Sequence, residues 1–149
     1  MSFASKDARQ GVSIVLPRFI LTAFLLGHAA IHLGYVSPRP PAAAGGPPWP
    51  FKLDSSWVST ALGLDVQLMR VAGGGLVAAT LGGFVLAALA AIGVLPAGVW
   101  AGATAFGAIA SICLLLLFFH PWLLVGVAID ICLLWAIVAA HWLPDWLAT

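Results

Sequence analysis

The chain has 149 residues, of which 62% are hydrophobic and 7% are charged, and its formal net charge at pH 7 is +1. Soluble domains carry about 25% charged residues, so six basic and five acidic side chains cannot cover the surface of a soluble protein this large. The composition therefore excludes a soluble globular domain, and the small net charge predicts no nucleic-acid-binding surface. Because the hydrophobic segments follow one another with little between them, residues 1–149 are predicted to form one membrane-embedded domain.

Four hydrophobic segments are each long enough for a helix that crosses a bilayer, which takes about 20 residues. In chain order, the predicted transmembrane helices cover residues 17–36, 65–95, 97–119 and 122–143. Residues 1–16 are predicted to be a polar arm, because Pro17 suits the first turn of a helix, where its missing N–H is not needed. The sequence thus predicts an all-α, polytopic membrane protein with four transmembrane helices.

The one long predicted connection covers residues 37–64, between the first two transmembrane helices. Its first half is rich in Pro and Gly and is expected to be extended. In its second half, Asp54 or Ser55 is expected to cap a short helix that runs through Leu62. The aromatic side chains of the loop suit the boundary between membrane and water, and they are Trp49, Phe51 and Trp57. We expect this loop to lie on the membrane surface.

Basic residues near the ends of the spans predict how the helices are oriented. They are, in chain order, Lys6, Arg9, Arg18, Arg39, Lys52 and Arg70. The first three surround the start of the first helix, the next two lie in the long loop, and the last lies just inside the second helix. Because basic residues are enriched on the cytoplasmic side of membrane proteins, this distribution favours cytoplasmic termini and a periplasmic loop.

Small residues form ridges on the second and third predicted helices. Gly75, Ala79 and Gly83 recur at every fourth position of the second helix, and Gly98 and Gly102 have the same spacing in the third. Such ridges let two helices approach closely in lipid. They are expected to pack against each other as an antiparallel hairpin, or to associate with a membrane-protein partner or a second copy of the chain.

One acidic residue, Asp130, lies inside the last predicted helix. A carboxylate there costs on the order of 3 kcal/mol on membrane-insertion scales, so a partner, a cavity or a proton is expected to face it. The GHAAIH motif of the first helix places His28 and His32 four residues apart, on one helix face. Counted along the helices, His28 and Asp130 both lie about 12 Å below the outer surface, and His120 lies near the level of His32. The sequence predicts that these four side chains cluster in the outer half of the bundle.

Four interpretations of this predicted cluster remain open. His28 and Asp130 could form a buried pair that only fixes the order of the helices. The same side chains, with His32 and His120, could form a proton relay or a ligand site, because ionisable groups inside membranes are often functional. His28 and His32 could hold a metal or a haem, although tetrahedral zinc needs a third protein ligand. Lastly, some of these groups could face lipid headgroups or another subunit.

Several short motifs resemble those of a group of small bacterial proteins. They are GHAAIH in the first helix, WPF and SSW in the loop, and HPWLLVGVAID at the last turn and helix. In this combination the chain resembles small bacterial four-helix integral membrane proteins of unassigned function, and the resemblance covers most of its length. It implies a bacterial cytoplasmic membrane and brings no reaction with it.

The sequence shows no complete set of catalytic residues. It has no GxSxG nucleophile elbow, no phosphate-binding GxxxxGK loop and no HExxH zinc motif. The leading functional hypothesis is therefore a non-enzymatic accessory or scaffold subunit of a membrane complex. The alternatives are a small transporter or proton-linked ligand site that uses His28, His32 and Asp130, and a redox subunit that binds haem or quinone.

Overall fold

The computed structural model describes residues 3–39, 41, 45–46, 48–144 and 147, with side chains from residue 15 onward. The all-α prediction is confirmed, because this part of the chain contains helices and no strand. Four of its helical segments are long and apolar enough to cross a membrane. They cover Val15–Tyr35, Val66–Ala91, Val99–Leu117 and Pro121–Ala139.

Helix α1 covers Phe3–Ile31 and continues into a 3-10 turn, His32–Tyr35. It begins earlier than predicted, so that Pro17 lies inside the helix and not in its first turn. The residues before Pro17 include Ala, Lys, Arg and Gln, which favour helix formation and extend the helix towards the N-terminus. The apolar span, Val15–Tyr35, nevertheless agrees closely with the predicted one.

The long loop carries a short helix, α2, over Trp57–Leu62. Its N-cap is Ser56, and the prediction of Asp54 or Ser55 as the cap is wrong. The Ser56 hydroxyl accepts a backbone N–H two residues later at 3.3 Å and donates to the carbonyl of Leu117 at 2.6 Å. Because the second bond attaches the loop to the end of a membrane-spanning helix, Ser56 can cap α2 and anchor it at the same time.

Two membrane-spanning helices follow α2. Helix α3 covers Val66–Ala91, and Asp65 is its N-cap, because its side chain accepts the backbone N–H of Leu68 at 2.9 Å. The helix ends earlier than predicted because Gly93 has a φ of 82°, the left-handed conformation that stops helices at their C-terminal end. Helix α4 then returns over Val99–Leu117.

Helices α3 and α4 pack as the antiparallel hairpin that the small residues predict. A Cβ atom placed on Gly83 would lie 2.6 Å from the Cα atom of Gly107 and 3.0 Å from the carbonyl oxygen of Ala103. The two backbones are therefore in direct contact at this level, which is the close approach that small residues permit in lipid.

The remaining small residues of the predicted partner surface do not take part in this contact. Gly75, Gly98 and Gly102 are exposed, and a Cβ atom on each of them would meet nothing within 4 Å. Ala79 is partly buried. Gly83 is thus used inside the chain, and association with a partner or a second copy through the three exposed glycines stays a prediction.

The last span consists of three helical pieces. It begins with a 3-10 turn, Pro121–Leu123, continues as helix α5, Leu124–Leu134, and ends in a π-helical turn, Trp135–Ala139. It ends earlier than predicted, and His141 beyond it is exposed and has a left-handed φ of 47°. His141 is therefore not part of the helix that carries Asp130.

Two buried apolar clusters fill the bundle at different levels. The first includes Phe84 and Trp100, and the second includes Val77 and Leu114. Between the two clusters, α3 carries one buried polar residue, Thr80, and α4 carries another, Ser111. The buried polar side chains near this level are His28, His32, Thr80, Ser111 and Asp130.

Candidate functional site

A continuous chain of hydrogen bonds joins α1, the turn after it, α4 and α5. His28 Nε2 lies 2.8 Å from Asp130 Oδ1, and Ser111 Oγ lies 2.5 Å from Asp130 Oδ2. His32 Nε2 lies 2.8 Å from Ser111 Oγ, and His32 Nδ1 donates to the carbonyl of His28 at 3.1 Å. None of the four residues is more than 5% exposed. We call them the polar layer; it contains the expected pair of His28 and Asp130, and His32 joins that pair through Ser111.

The number of protons in the polar layer limits how its bonds can be made. A backbone carbonyl can only accept, so His32 Nδ1 carries a proton. The hydroxyl of Ser111 has a single proton to donate, either to Asp130 or to His32 Nε2. If Ser111 donates to the carboxylate of Asp130, then His32 Nε2 must donate to Ser111, and the layer holds an aspartate and an imidazolium ion.

A second arrangement of protons satisfies the same bonds. With Asp130 protonated on Oδ2, its O–H donates to Ser111, and Ser111 donates to an unprotonated Nε2 of a neutral His32. In both arrangements the Nε2–H of His28 donates to Asp130 Oδ1. The two arrangements differ by one proton shift along each of two hydrogen bonds, and their total charge is the same. The layer can therefore move a proton between Asp130 and His32 through Ser111 while its heavy atoms stay in place.

Asp130 lies near the middle of its span, nine residues from Pro121 and nine from Ala139. At about 1.5 Å per residue, this is ~13 Å from either end. His28 lies seven residues from Tyr35, and Ser111 lies six residues from Leu117, which are the ends of their spans on the side of the long loop. The polar layer therefore extends from the middle of the last span towards the loop side of the bundle.

The structure does not bring His120 into the polar layer. Its Nδ1 accepts the backbone N–H of Trp122 at 3.3 Å and so caps the turn Pro121–Leu123. His120 has the extended backbone (φ −143°, ψ 140°) that is favoured before a proline, which suits this local cap. Of the four side chains predicted to cluster, His28, His32 and Asp130 do so.

Ser111 is the member of the polar layer that the sequence prediction missed. A detectable signal was present, since α4 and α5 are antiparallel neighbours joined by a short turn. A Cβ atom on Gly126 would lie 3.0 Å from Leu115, and one helical turn further into the membrane this register places Ser111 opposite Asp130. A hydroxyl residue in an apolar helix, at the level of a buried acid, is the pattern that identifies it.

Thr80 of α3 lies near the same level as Ser111. Gly83 contacts Gly107, and Thr80 and Ser111 each lie about one turn from that contact, on the same side of it. Thr80 is completely buried, and its Oγ1 has no hydrogen-bond partner among the described residues. Buried polar atoms are nearly always paired, so Thr80 adds unused hydrogen-bonding capacity beside the polar layer.

A pocket of about 150 Å³ reaches the polar layer along the seam between α1 and α5. His28 and His32 supply its polar lining, and most of its remaining wall is aliphatic or aromatic, including Trp122. A second recess along the same seam, of about 350 Å³, shares Val125 and Ile129 with the first. The seam therefore carries a mostly apolar pocket that reaches the two imidazole rings, beside a wider open recess that does not.

Metal or haem ligation by His32 conflicts with the bonds of the polar layer, because both of its ring nitrogens already bind oxygen atoms. His28 uses Nε2 for its bond to Asp130, and its Nδ1 takes no part in the polar layer. Among the residues that the structure describes, no three His, Cys, Asp or Glu side chains are grouped to hold a metal ion. A metal on His28 would therefore need ligands from outside this group.

Comparison of the chain with protein-family models, with curated proteins and with solved structures finds no match.

Proposed function

We propose that the protein is a small proton-linked transporter, in which the protonation of the polar layer is coupled to a ligand in the pocket between α1 and α5. The observation that carries this proposal is the pair of proton arrangements that satisfy the same hydrogen bonds. Because the two arrangements have equal total charge, exchange between them brings no additional charge into the membrane interior, where charge is costly.

The pocket supplies a way to couple a ligand to the proton. Both ring nitrogens of His32 are bonded within the layer, so a ligand would act on it through charge. An anionic ligand beside His32 would bind the imidazolium arrangement better, and a cationic ligand would bind the neutral arrangement better. A ligand shifts an equilibrium between two states by its difference in affinity for them. Binding beside His28 and His32 would therefore shift the equilibrium between the arrangement in which Asp130 carries the proton and the one in which His32 carries it.

The depth of Asp130 also supports a transport role. Substrate and coupling-ion sites of membrane transporters lie near the middle of the bilayer, and Asp130 is equally distant from both ends of its span.

We further propose that the protein resides in a bacterial cytoplasmic membrane, with both termini in the cytoplasm and α2 outside. If each of the four apolar segments crosses the membrane once, the two termini lie on one side. The basic residues before and at the start of the first span, Lys6, Arg9 and Arg18, favour the cytoplasm for that side. The resemblance of the GHAAIH motif to those of small bacterial membrane proteins supports the assignment to bacteria.

Ser111→Ala is expected to stop proton transfer without unfolding the protein, because alanine removes the hydroxyl that links Asp130 to His32. The measurement is the rate at which vesicles containing the purified protein and a trapped pH-sensitive dye respond to an external pH step. Wild-type vesicles are expected to respond faster than protein-free vesicles, and Ser111→Ala vesicles at the protein-free rate.

Thr104→Val is the matched control. Thr104 is also completely buried on α4, but its hydroxyl donates to the carbonyl of Trp100 within its own helix. The control is expected to keep the wild-type rate. A wild-type rate equal to that of protein-free vesicles, or an equal loss in both variants, would contradict the proposal.

A further inference from the structure

A separate open pocket of about 360 Å³ lies where α1 ends and α3 begins. We call it the arginine pocket, and its lining residues are Tyr35, Val36, Arg39, Leu53, Asp54 and Arg70. It shares no residue with the pocket at the polar layer. Tyr35 is the last residue of the first apolar span, and Arg70 lies in the first turns of the second, so this pocket is at the level of the lipid headgroups.

The charges of the arginine pocket leave an excess positive charge. Arg39 Nη2 donates to Asp54 Oδ2 at 2.5 Å, and Arg70 Nη2 lies 3.9 Å from the same oxygen, beyond hydrogen-bonding distance. The hydrogen bond from Arg39 holds the pKa of the Asp54 carboxyl below its usual value, so Asp54 is ionised at neutral pH. Two guanidinium groups and one carboxylate give the pocket a net charge of +1.

Both guanidinium groups keep donors that Asp54 does not use. Each guanidinium has five N–H groups in a planar fork, and the side chains of Arg39 and Arg70 are 50% and 51% exposed. This geometry suits a phosphate group, which arginine binds through two parallel hydrogen bonds. The apolar side chains of Val36 and Leu53 in the same wall suit the part of a lipid that lies below its headgroup.

An unpaired hydroxyl is the second observation that points to a ligand. Tyr35 is only 6% exposed, and its Oη is buried without a hydrogen-bond partner among the described residues. Its ring is held by edge-on contacts with Phe51 and Phe118, at centroid distances of 5.2 and 6.2 Å. Because buried hydroxyls are nearly always paired, this phenol has a donor that no described residue uses. Its oxygen is covered in this structure, so a ligand in the adjoining pocket reaches it only when the ring moves.

We propose that the arginine pocket binds the phosphate group of an anionic phospholipid headgroup, with the exposed Arg39 and Arg70 as its charged contacts and the Tyr35 hydroxyl as a further donor that a movement of its ring uncovers. The same phosphate chemistry is present in free phosphate, which would reach the pocket from water. This site is independent of the proton-linked function, since it involves no residue of the polar layer.

The test is native mass spectrometry of the purified protein from micelles that contain equal amounts of phosphatidylglycerol and phosphatidylcholine. The wild type is expected to retain phosphatidylglycerol preferentially, and Arg70→Gln is expected to reduce that retention roughly tenfold, as the loss of a charge-assisted hydrogen bond would. Tyr35→Phe, which removes only the hydroxyl, is expected to reduce it several-fold. Lys52→Gln is the matched control, because Lys52 lies in the same loop but does not line the pocket, and it is expected to retain the lipid as the wild type does.

Inorganic phosphate added at increasing concentration distinguishes a site for free phosphate from a site for a whole phospholipid headgroup. Displacement of the lipid by inorganic phosphate would show that the phosphate group alone is recognised, and resistance to it would show that the whole headgroup is needed; both results support a phosphate site. Equal retention of the two lipids by the wild type, or equal losses in Arg70→Gln and Lys52→Gln, would overturn the proposal. Thermal unfolding of each variant establishes that the comparison is made between folded proteins, and Arg70→Lys replaces Arg70→Gln if the latter does not fold.

Discussion

Asp130→Asn is expected to abolish proton-linked activity and to leave the protein folded. An asparagine has the shape of a protonated aspartic acid, so its oxygen accepts from His28 and its amide donates to Ser111, in place of the two bonds that Asp130 makes. Ser111 then donates to His32, and the polar layer is fixed in its neutral arrangement because the amide cannot release its proton. The vesicle assay is expected to give the protein-free rate for this variant.

The stability of Asp130→Asn separates loss of function from loss of fold. Its free energy of unfolding, measured by circular dichroism in mixed micelles of increasing denaturing detergent, is expected to lie within about 1 kcal/mol of the wild type. Asp130→Ala leaves His28 and Ser111 without partners in a completely buried site and is expected to lose about 3–5 kcal/mol. Full proton-linked activity in Asp130→Asn would remove the carboxyl group from the mechanism.

Gly83→Leu is expected to destabilise the protein by about 3 kcal/mol, the largest effect that we expect outside the polar layer. Even the first side-chain atom would lie 2.6 Å from the backbone of Gly107. Backbone atoms of a packed helix cannot rotate away as a flexible side chain can, so α3 and α4 would have to separate along their contact. The same detergent unfolding measurement quantifies the loss.

Gly82→Leu is the control for Gly83→Leu, because it makes the same change at the next position of the same helix. Gly82 is exposed, and a Cβ atom there would meet nothing within 4 Å. Its free energy of unfolding is expected to change by less than about 1 kcal/mol. Similar losses in the two variants would show that the effect comes from the helix itself and not from the contact with Gly107.

The four spans and the pairing of His28 with Asp130 could be predicted from the sequence for the same physical reason. An apolar run of membrane length has few structures open to it in lipid, and an acid within such a run requires a partner. The spacing of His28 and His32 placed both rings on one face, and Asp130 was the one acidic residue inside a span, so few pairings were available.

The remaining features depend on geometry that spacing along one helix does not contain. Ser111 became part of the site through the register of α4 against α5, which requires the position of the turn between them. His120 was placed with the cluster by its depth alone, although its own turn uses the ring as a cap. The last helix was predicted to continue to residue 143 because the residues after Trp135–Ala139 are still mostly apolar. In the structure the backbone widens into a π-helical turn over Trp135–Ala139, and the helix ends there.

The most direct test measures which nitrogens of the His32 ring carry a proton. Solid-state NMR of the protein in bilayers, with ¹⁵N-labelled histidine, reports this, and the His32→Gln variant identifies the signals of His32. We expect Nδ1 to carry a proton at every pH at which the fold persists, and Nε2 to gain its proton as Asp130 loses one, with Ser111→Ala uncoupling the two changes. An unprotonated Nδ1, or a protonation of Nε2 that is unaffected by Asp130→Asn and by Ser111→Ala, would contradict this expectation.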